Sequence, residues 1–147
     1  MYKRQAIDAA NDGDTIYVYS GTYYENIQID KTINLIGEDK NTTIINGGGE
    51  SNVVYIIADY VNISGFTIVN STSSGIFVTH SDYVNISNNI IHHHTENGIW
   101  IYVSNYSIIF KNHLYNNEAG IGVTCSTHIK ILKNEIHNNT GEICMCI

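Results

Sequence analysis

Three consecutive histidines, His92, His93 and His94, form the densest group of potential metal ligands in the sequence. Neutral imidazole is a common ligand for transition metals. Consecutive residues of a strand point in different directions, so one strand does not direct all three side chains at a single ion. We therefore predict no metal site and no cofactor, and these histidines are only weak candidates for metal binding.

Acidic residues are a second group that could do chemistry, because glycoside hydrolysis uses two carboxylates roughly 5–10 Å apart. Here the carboxylates fall mostly one per turn of the chain, with no evident pair. We interpret them as solvated turn residues and expect no catalytic residue in this segment. They are Asp59, Asp82, Glu96, Glu118, Glu135 and Glu142.

Aromatic residues give a third possibility. Aliphatic residues flank Phe77 and Trp100, and if these aliphatics point inward, then Phe77, Trp100 and Tyr102 point outward on neighbouring strands. An exposed row of aromatic rings can stack on sugar rings or bind a protein partner. The alternative is that neighbouring sequence covers the row, or that it reflects β-propensity alone.

The 147 residues are enough for one domain, which typically has about 100–200 residues. Charged residues make up 14% of the chain, and its net charge is −7. This balance argues against nucleic acid as a partner, because phosphate binding requires clustered Lys and Arg. No run approaches the ~18 apolar residues of a membrane span. With three cysteines, no disulfide is predicted, and Cys125 is expected to be a buried or half-buried thiol.

The sequence contains an internal repeat. Four similar segments begin at Tyr60, Tyr83, Tyr106 and His128, and their starts are 23, 23 and 22 residues apart. A second marker, Gly-Ile-x-Val or Gly-Ile-x-Ile, begins at Gly75, Gly98 and Gly120. Within each unit, apolar residues alternate with period two, which predicts short strands. Short strands at a fixed period of this length are typical of the turns of a parallel β-helix, stacked about 4.8 Å apart.

Stacking of the turns places equivalent residues above one another in columns. Two inward aliphatic columns are predicted, and β-branched side chains suit them. The first column is Ile63, Ile86, Ile109 and Ile131, and the second is Ile68, Ile91, Leu114 and Ile136. His137 falls in the column of His92 but two turns away, about 10 Å, so these two histidines are not expected to share an ion.

Asn89, Asn112 and Asn134 form a third column, at a turn. Identical amides at the strand-stacking distance can hydrogen-bond along the stack, as in the Asn ladders of cross-β structures. Phe66 takes this place in the preceding turn, so the ladder is expected to begin at Asn89. The alternative is that these residues only tolerate a left-handed turn conformation.

The two ends of the sequence depart from the repeat. Ala6–Ala10 is predicted to form a short helix that covers the N-terminal end of the core. No covering segment is recognisable at the other end, so the β-helix is expected to be a fragment of a longer parent chain. Residues 1–5 and 145–147 are predicted to be non-native, because both resemble translations of one sequencing-adapter oligonucleotide.

The segment that begins Ala9-Ala-Asn-Asp-Gly-Asp-Thr-Ile-Tyr-Val resembles the opening of β-helix proteins of the pectin-lyase-like superfamily. The later Asn-x-Ile and Gly-Ile-x-Val units resemble the repeats of its NosD-type branch, as in surface proteins of archaea and bacteria. The resemblance covers residues 6–144. It implies an all-β fold, a right-handed, single-stranded parallel β-helix with a short N-terminal capping helix.

Superfamily members that act on polysaccharides carry motifs that this sequence lacks. Polygalacturonase-like hydrolases have Asn-Thr-Asp, Asp-Asp, Gly-His-Gly and Arg-Ile-Lys motifs; the nearest segment here, His128-Ile129-Lys130, has no Arg. Pectate-lyase-like enzymes need clustered Asp for calcium and a basic residue to take the proton. The resemblance therefore does not imply that this segment is an enzyme, nor does the copper-binding name of the NosD branch assign a metal site to it.

We predict a noncatalytic β-helix segment of a cell-surface or envelope protein, with a structural, adhesion or carbohydrate-contact role. Expected partners are polysaccharide or cell-envelope components and the rest of the parent chain. The resemblance implies an extracellular, cell-surface or periplasmic location, although the first residues do not resemble a signal peptide. Two alternatives stay open. One is a fragment of a polysaccharide-active lyase, hydrolase or epimerase whose active residues lie elsewhere, and the other is a NosD-like periplasmic metal-delivery protein.

Overall fold

The structure is a computed structural model and describes residues 3–146. The chain forms one helix and then winds into a parallel β-solenoid, whose first face has six stacked strands. The predicted all-β parallel β-helix with a short N-terminal helix is therefore confirmed. The non-native ends predicted at residues 1–5 and 145–147 fall partly outside the described residues.

The helix α1 spans Lys3–Ala9, three residues earlier at its start than predicted. With seven residues it is too short to cross a membrane, and no other helix occurs in the described part of the chain. The strands are β1 (Thr15–Val18), β2 (Gly21–Tyr24), β3 (Ile27–Ile29), β4 (Asn34–Gly37), β5 (Thr43–Glu50), β6 (Val54–Ile56), β7 (Asn62–Ser64), β8 (Thr67–Ser71), β9 (Ile76–Thr79), β10 (Asn85–Ser87), β11 (Ile90–Tyr102), β12 (Ile108–Phe110), β13 (His113–Thr124), β14 (Lys130–Leu132), β15 (Glu135–His137) and β16 (Gly141–Cys146).

The strands form three faces, and within residues 3–146 all neighbouring strands pair in parallel. The first face runs β1-β4-β7-β10-β12-β14. The second face contains β2, β5, β8, the first halves of β11 and β13, and β15. The third face contains β3, β6, β9, the second halves of β11 and β13, and β16. A register shift between His94 and Asn97 in β11 marks the corner where the second face becomes the third.

The inward columns follow the predicted register. Ile86 pairs with Ile63 on one side and with Ile109 on the other, and Ile109 pairs with Ile131. On the second face, Ile68, Ile91, Leu114 and Ile136 pair in the same order. The side chains of Ile63, Ile86 and Ile109 are at most 1% exposed. Removal of these aliphatic side chains from water is the main force that holds successive turns together.

The corners of the solenoid use left-handed backbone conformations at residues other than glycine. Tyr60, Tyr83, Tyr106 and His128 occupy one corner column with φ between 55° and 58°. Cys125 has a φ of 50° at another corner and is exposed. The prediction of a buried or half-buried Cys125 thiol is therefore wrong, because this residue lies at a turn after β13 and not on an inward strand position.

The helix α1 covers the N-terminal end of the core, as predicted. Ile7 is fully buried, and α1 packs against β3. Lys31 Nζ donates to the carbonyl oxygens of Ile7, Asp8 and Ala10 at 3.1, 2.6 and 2.9 Å. A cation at this position satisfies the last carbonyls of the helix and is favoured by its dipole.

Candidate functional site

Three outward aromatic residues of the third face, Tyr55, Phe77 and Trp100, form a stack that we name the aromatic column. Phe77 pairs in register with Tyr55 of β6 and with Trp100 of β11. The ring centroids of Tyr55 and Phe77 are 5.5 Å apart, and those of Phe77 and Trp100 are 4.5 Å apart. The ring planes differ by 16° and 21°, so each ring covers a face of the next.

Strand alternation places these rings outside. Their neighbours Val54, Ile56, Ile76, Val78, Ile99 and Ile101 are fully buried. Phe77 and Trp100 were predicted from the sequence to point outward, whereas Tyr55 was not. Its signal was the Val-Tyr-Ile triplet of β6, which repeats the aliphatic–aromatic–aliphatic order found around Phe77 and Trp100.

Tyr102, the third predicted aromatic residue, lies beside this stack and not in it. Its ring centroid is 5.8 Å from that of Trp100, with the planes 46° apart. Its register partners are Thr79 and Thr124, so no aromatic ring lies directly above or below it. His80 contacts the ring edge-on at 6.2 Å.

The aromatic column ends at Trp100 because its next register partner is Gly122. Gly122 has no side chain, so the indole face opposite Phe77 borders a groove of about 280 Å³. The groove is lined by Asn97, Trp100, Gly122, Thr124, Cys144, Met145 and Cys146. A Cβ at position 122 would lie 2.6 Å from Asn97 Oδ1 and 3.3 Å from Trp100 Cδ1. The Asn97 amide and the indole edge of Trp100 therefore lie directly against the backbone at position 122, where a side chain would collide with them.

A larger groove of about 590 Å³ lies at the opposite end of the column, beside Tyr55 and Phe77. Polar groups of Arg4, Asp8, Gln28 and Asp30 contribute to its lining. This groove was not predicted from the sequence, because it forms where the N-terminal helix meets the third face and no repeat signal marks that junction.

Of the three consecutive histidines, His94 points away from His92 and His93, so the three side chains do not meet at one point, as the strand argument expected. His94 is inward and 3% exposed. Its Nε2 donates to the carbonyl oxygen of Ile68 at 3.1 Å, and its Nδ1 contacts the Ser71 hydroxyl at 2.8 Å. Burial lowers the pKa of His94 to about 4. This neutral imidazole is committed to hydrogen bonds inside the solenoid.

His92 and His93 stay near the surface. Their Nδ1 atoms are 2.6 Å apart, and the ring of His92 stacks on Tyr115 at 4.7 Å. Burial, and secondarily the neighbouring His93 and His113, lower the pKa of His92 to about 4. Tyr115 lies between His92 and His137, with its ring centroid 5.6 Å from that of His137. The ring of Tyr115 thus separates His92 from His137, in agreement with the predicted distance of two turns between these histidines.

A different set of ligand-type residues meets on the second face: His113, Glu135 and His137, which we name the histidine–carboxylate cluster. The Nε2 atoms of His113 and His137 are 2.7 Å apart, and Glu135 Oε1 is 3.8 Å from each. Glu135 lies in β15, and Glu96, Glu118 and Glu142 also lie in strands, so the turn assignment of these four carboxylates is wrong, although all four are exposed to solvent. His113 was not predicted to join His137, because the two histidines stand in neighbouring columns and the column pattern relates residues within one column only.

Asn89, Asn112 and Asn134 form hydrogen bonds along the stack. Asn89 Nδ2 donates to Asn112 Oδ1 at 3.2 Å, and Asn112 Nδ2 donates to Asn134 Oδ1 at 3.0 Å. The backbone amides of Asn89 and Asn112 donate to the same oxygens. A second amide ladder joins Asn117 to Asn139 at the next corner. It was not predicted, although its residues follow Asn112 and Asn134 at a constant distance of five.

Solved structures with this fold include carbohydrate-active proteins. Pectin methylesterase from Yersinia enterocolitica has a TM-score of 0.61 and 14% identity, with 84% of this chain and 55% of that chain covered. A pectin methylesterase in complex with a hexasaccharide has a TM-score of 0.59 and 13% identity, covering 90% and 62%. Alginate lyase from Paenibacillus sp. str. FPU-7 has a TM-score of 0.54 and 17% identity, covering 92% and 72%.

These likenesses establish the fold alone, since every identity is below 20%. The chain spans about half the length of the Yersinia protein. A search of curated proteins found no match. A family model described as "Periplasmic copper-binding protein (NosD)" matches residues 42–144, which is more than half of the chain. Sequence repeat, solenoid fold and family match agree, and the chain belongs to the NosD family of β-helix proteins.

Proposed function

We propose that this chain is a noncatalytic β-helix segment that contacts polysaccharide through the end of its aromatic column. The observation that carries this proposal is the groove beside Gly122, which Trp100 lines at the end of the column. An extracellular or periplasmic location is supported by the description of the NosD family as periplasmic. A cell-surface or envelope setting would place polysaccharide within reach of the third face.

The geometry of the column restricts where a sugar ring can bind. The ring of Phe77 is covered by Tyr55 on one face and by Trp100 on the other, so only the edge of this ring can contact solvent. Trp100 stacks on Phe77 on one side and borders Gly122 and the groove on the other, and the next side chain beyond Gly122 in register is Cys144. Two rung spacings, about 10 Å, separate these positions. That height accommodates one flat ring in van der Waals contact on both sides.

The groove also offers polar groups to orient a sugar. The Asn97 amide lines it beside the indole, and the Thr124 hydroxyl lies 3.4 Å from Trp100 Nε1. An apolar ring face with a few polar groups at its rim is the usual composition of a small-ligand site. At about 280 Å³ the groove suits a single sugar unit of a longer chain.

The lining of this groove supports a binding role without catalysis. Among its described residues there is no carboxylate, whereas glycoside hydrolysis requires two. The alternative, a polysaccharide-active enzyme, is tested directly by measuring methanol release from methyl-esterified pectin and unsaturated products from alginate. Turnover by the purified chain above that of a buffer control would contradict the noncatalytic proposal.

The binding test compares three substitutions by affinity electrophoresis in gels that contain pectin or alginate. Trp100→Ala removes the ring, and Gly122→Val keeps the indole but adds a side chain to the groove, where Asn97 Oδ1 and the indole edge lie. Both are expected to weaken binding by about tenfold or more, equivalent to about 1.4 kcal/mol. Tyr83→Ala is the matched control, because Tyr83 is an exposed, stacked ring whose two faces are covered by Tyr60 and Tyr106.

Wild-type binding that Trp100→Ala and Gly122→Val reduce, and Tyr83→Ala does not, would support the proposal. An equal loss in all three variants would point to nonspecific adhesion by aromatic edges. Wild-type affinity in Trp100→Ala, or no retardation of the wild-type protein by either polysaccharide, would overturn it.

A further inference from the structure

We propose that the histidine–carboxylate cluster of His113, Glu135 and His137 binds a divalent transition-metal ion. One ligand atom from each of the three residues can be chosen so that all lie within 4.8 Å of one another. The closest approach is 2.7 Å between the two Nε2 atoms, and Glu135 Oε1 is 3.8 Å from both nitrogens. This site is independent of the aromatic column, which lies on the third face.

The distances suit a single ion after small side-chain rotations. Metal–imidazole bonds are about 2.0–2.1 Å long, so two nitrogens on one ion are about 3 Å apart. The two Nε2 atoms need to separate by only a few tenths of an ångström from their 2.7 Å contact. Glu135 Oε1 lies 3.8 Å from each nitrogen, close enough to supply the third ligand after rotation of its side chain.

The β-solenoid holds the three side chains in place before an ion arrives. His113 and Glu135 are register partners on β13 and β15. Glu135 and His137 are two residues apart on β15, so they point to the same side of the strand. The ring of Tyr115 stacks on His137 with the planes 4° apart and also contacts His113 at a centroid distance of 4.8 Å. Such packing limits ring rotation, which is the role of supporting groups around metal ligands.

The donor set indicates the class of ion. Two imidazoles and one carboxylate suit Cu²⁺, Zn²⁺ or Ni²⁺, whereas Ca²⁺ and Mg²⁺ prefer oxygen ligands alone. Among divalent ions, Cu²⁺ is expected to bind more tightly than Zn²⁺ at a site of this kind. The side chains of His113, His137 and Glu135 are 31%, 41% and 72% exposed, which leaves the outer side of the site open to solvent or a further ligand.

The test is a calorimetric titration of the tag-free chain with Cu²⁺ and Zn²⁺. The three cysteines, which are all free and exposed, are replaced by serine so that thiolates do not compete. We expect one ion per chain, more than tenfold weaker binding in His113→Gln and His137→Ala, and about tenfold weaker binding in Glu135→Gln. His128→Ala is the control, because His128 is exposed and lies at a corner outside the cluster.

Electron paramagnetic resonance of the Cu²⁺ complex gives a readout that a merely structural role would not change. Two nitrogen couplings are expected in the wild type and one in His113→Gln. Circular dichroism in the absence of metal should be the same for all variants, since the three side chains are outward. Loss of binding in His93→Ala but not in His113→Gln would place the ion elsewhere and overturn the proposal, as would unchanged affinity in all cluster variants.

Discussion

The inward and outward columns of this solenoid are both made by stacking equivalent residues, but the two regions differ in what they determine. Inward, Ile63, Ile86 and Ile109 are buried, and the Asn89 and Asn112 amides are hydrogen-bonded along the stack. Outward columns stay partly in solvent and vary more between turns. This difference indicates that the inward columns contribute most of the stability of the solenoid. Residues on the outer faces can therefore differ from turn to turn and are available for binding groups.

The outward columns also differ from one another. In the corner column, Tyr83 is stacked between Tyr60 and Tyr106 at 4.8 and 5.1 Å, so neither of its faces is free. In the aromatic column, Trp100 is covered on one face and borders Gly122 on the other. One missing side chain therefore distinguishes a column whose ring is stacked on both faces from a column whose last ring borders a groove.

The largest effect should come from a change inside the coil. Ile86→Ala is expected to lower the free energy of unfolding by about 4 kcal/mol, because a fully buried aliphatic side chain leaves a cavity between two neighbouring turns. Ile108→Ala, at a 37% exposed outward position of the next turn, is the control and should cost about 1 kcal/mol or less. Urea denaturation measures both values. Equal losses would contradict the division between inward and outward columns.

A smaller effect is expected from acid at the inward His94. Burial lowers the pKa of His94 to about 4 in the folded chain, whereas the ordinary pKa of 6.5 applies in the unfolded chain. Between these two pH values, the unfolded chain therefore binds a proton that the folded chain does not bind. Stability is therefore complete above pH 6.5 and decreases as the pH falls toward about 4, by about 3 kcal/mol in total. His94→Asn should remove this contribution, since Asn117 and Asn139 occupy the same column.

Urea denaturation of the wild type and His94→Asn across this pH range measures the difference. The variant should keep only the pH dependence of the remaining groups. If both proteins lose the same stability between these pH values, then His94 is not responsible for the acid sensitivity.

The smallest effect is expected at the corner. Tyr83→Ala removes two stacked ring contacts and should cost about 1 kcal/mol, because each such pair contributes about 0.5–1.5 kcal/mol and exposed positions fall at the low end. Tyr83→Phe keeps both contacts and should unfold at the wild-type urea concentration. A loss in Tyr83→Ala as large as that in Ile86→Ala would show that outward columns also determine stability.

Much of the fold could be predicted because the repeat can be recognised directly in the amino-acid sequence. The period of 22–23 residues predicted which residues share a column, and the structure pairs Ile63 with Ile86 and Ile86 with Ile109 accordingly. Cys125 was misjudged because the repeat marks strand positions more clearly than corners. Its left-handed backbone depends on the corner geometry, which strand alternation does not encode.

The constant repeat period and the strand alternation are enough to predict the β-solenoid, its inward columns and the outward position of Phe77 and Trp100. Both signals can be read without knowledge of contacts between distant residues. Which outward side chains contact one another depends on the tertiary structure. The stacking of β13 and β15 brings His113 to His137 and Glu135, and the register of β11 and β13 places Gly122 beside Trp100 at the end of the aromatic column. These contacts depend on the register between turns and on the direction of each side chain, and both are settled only when the turns stack.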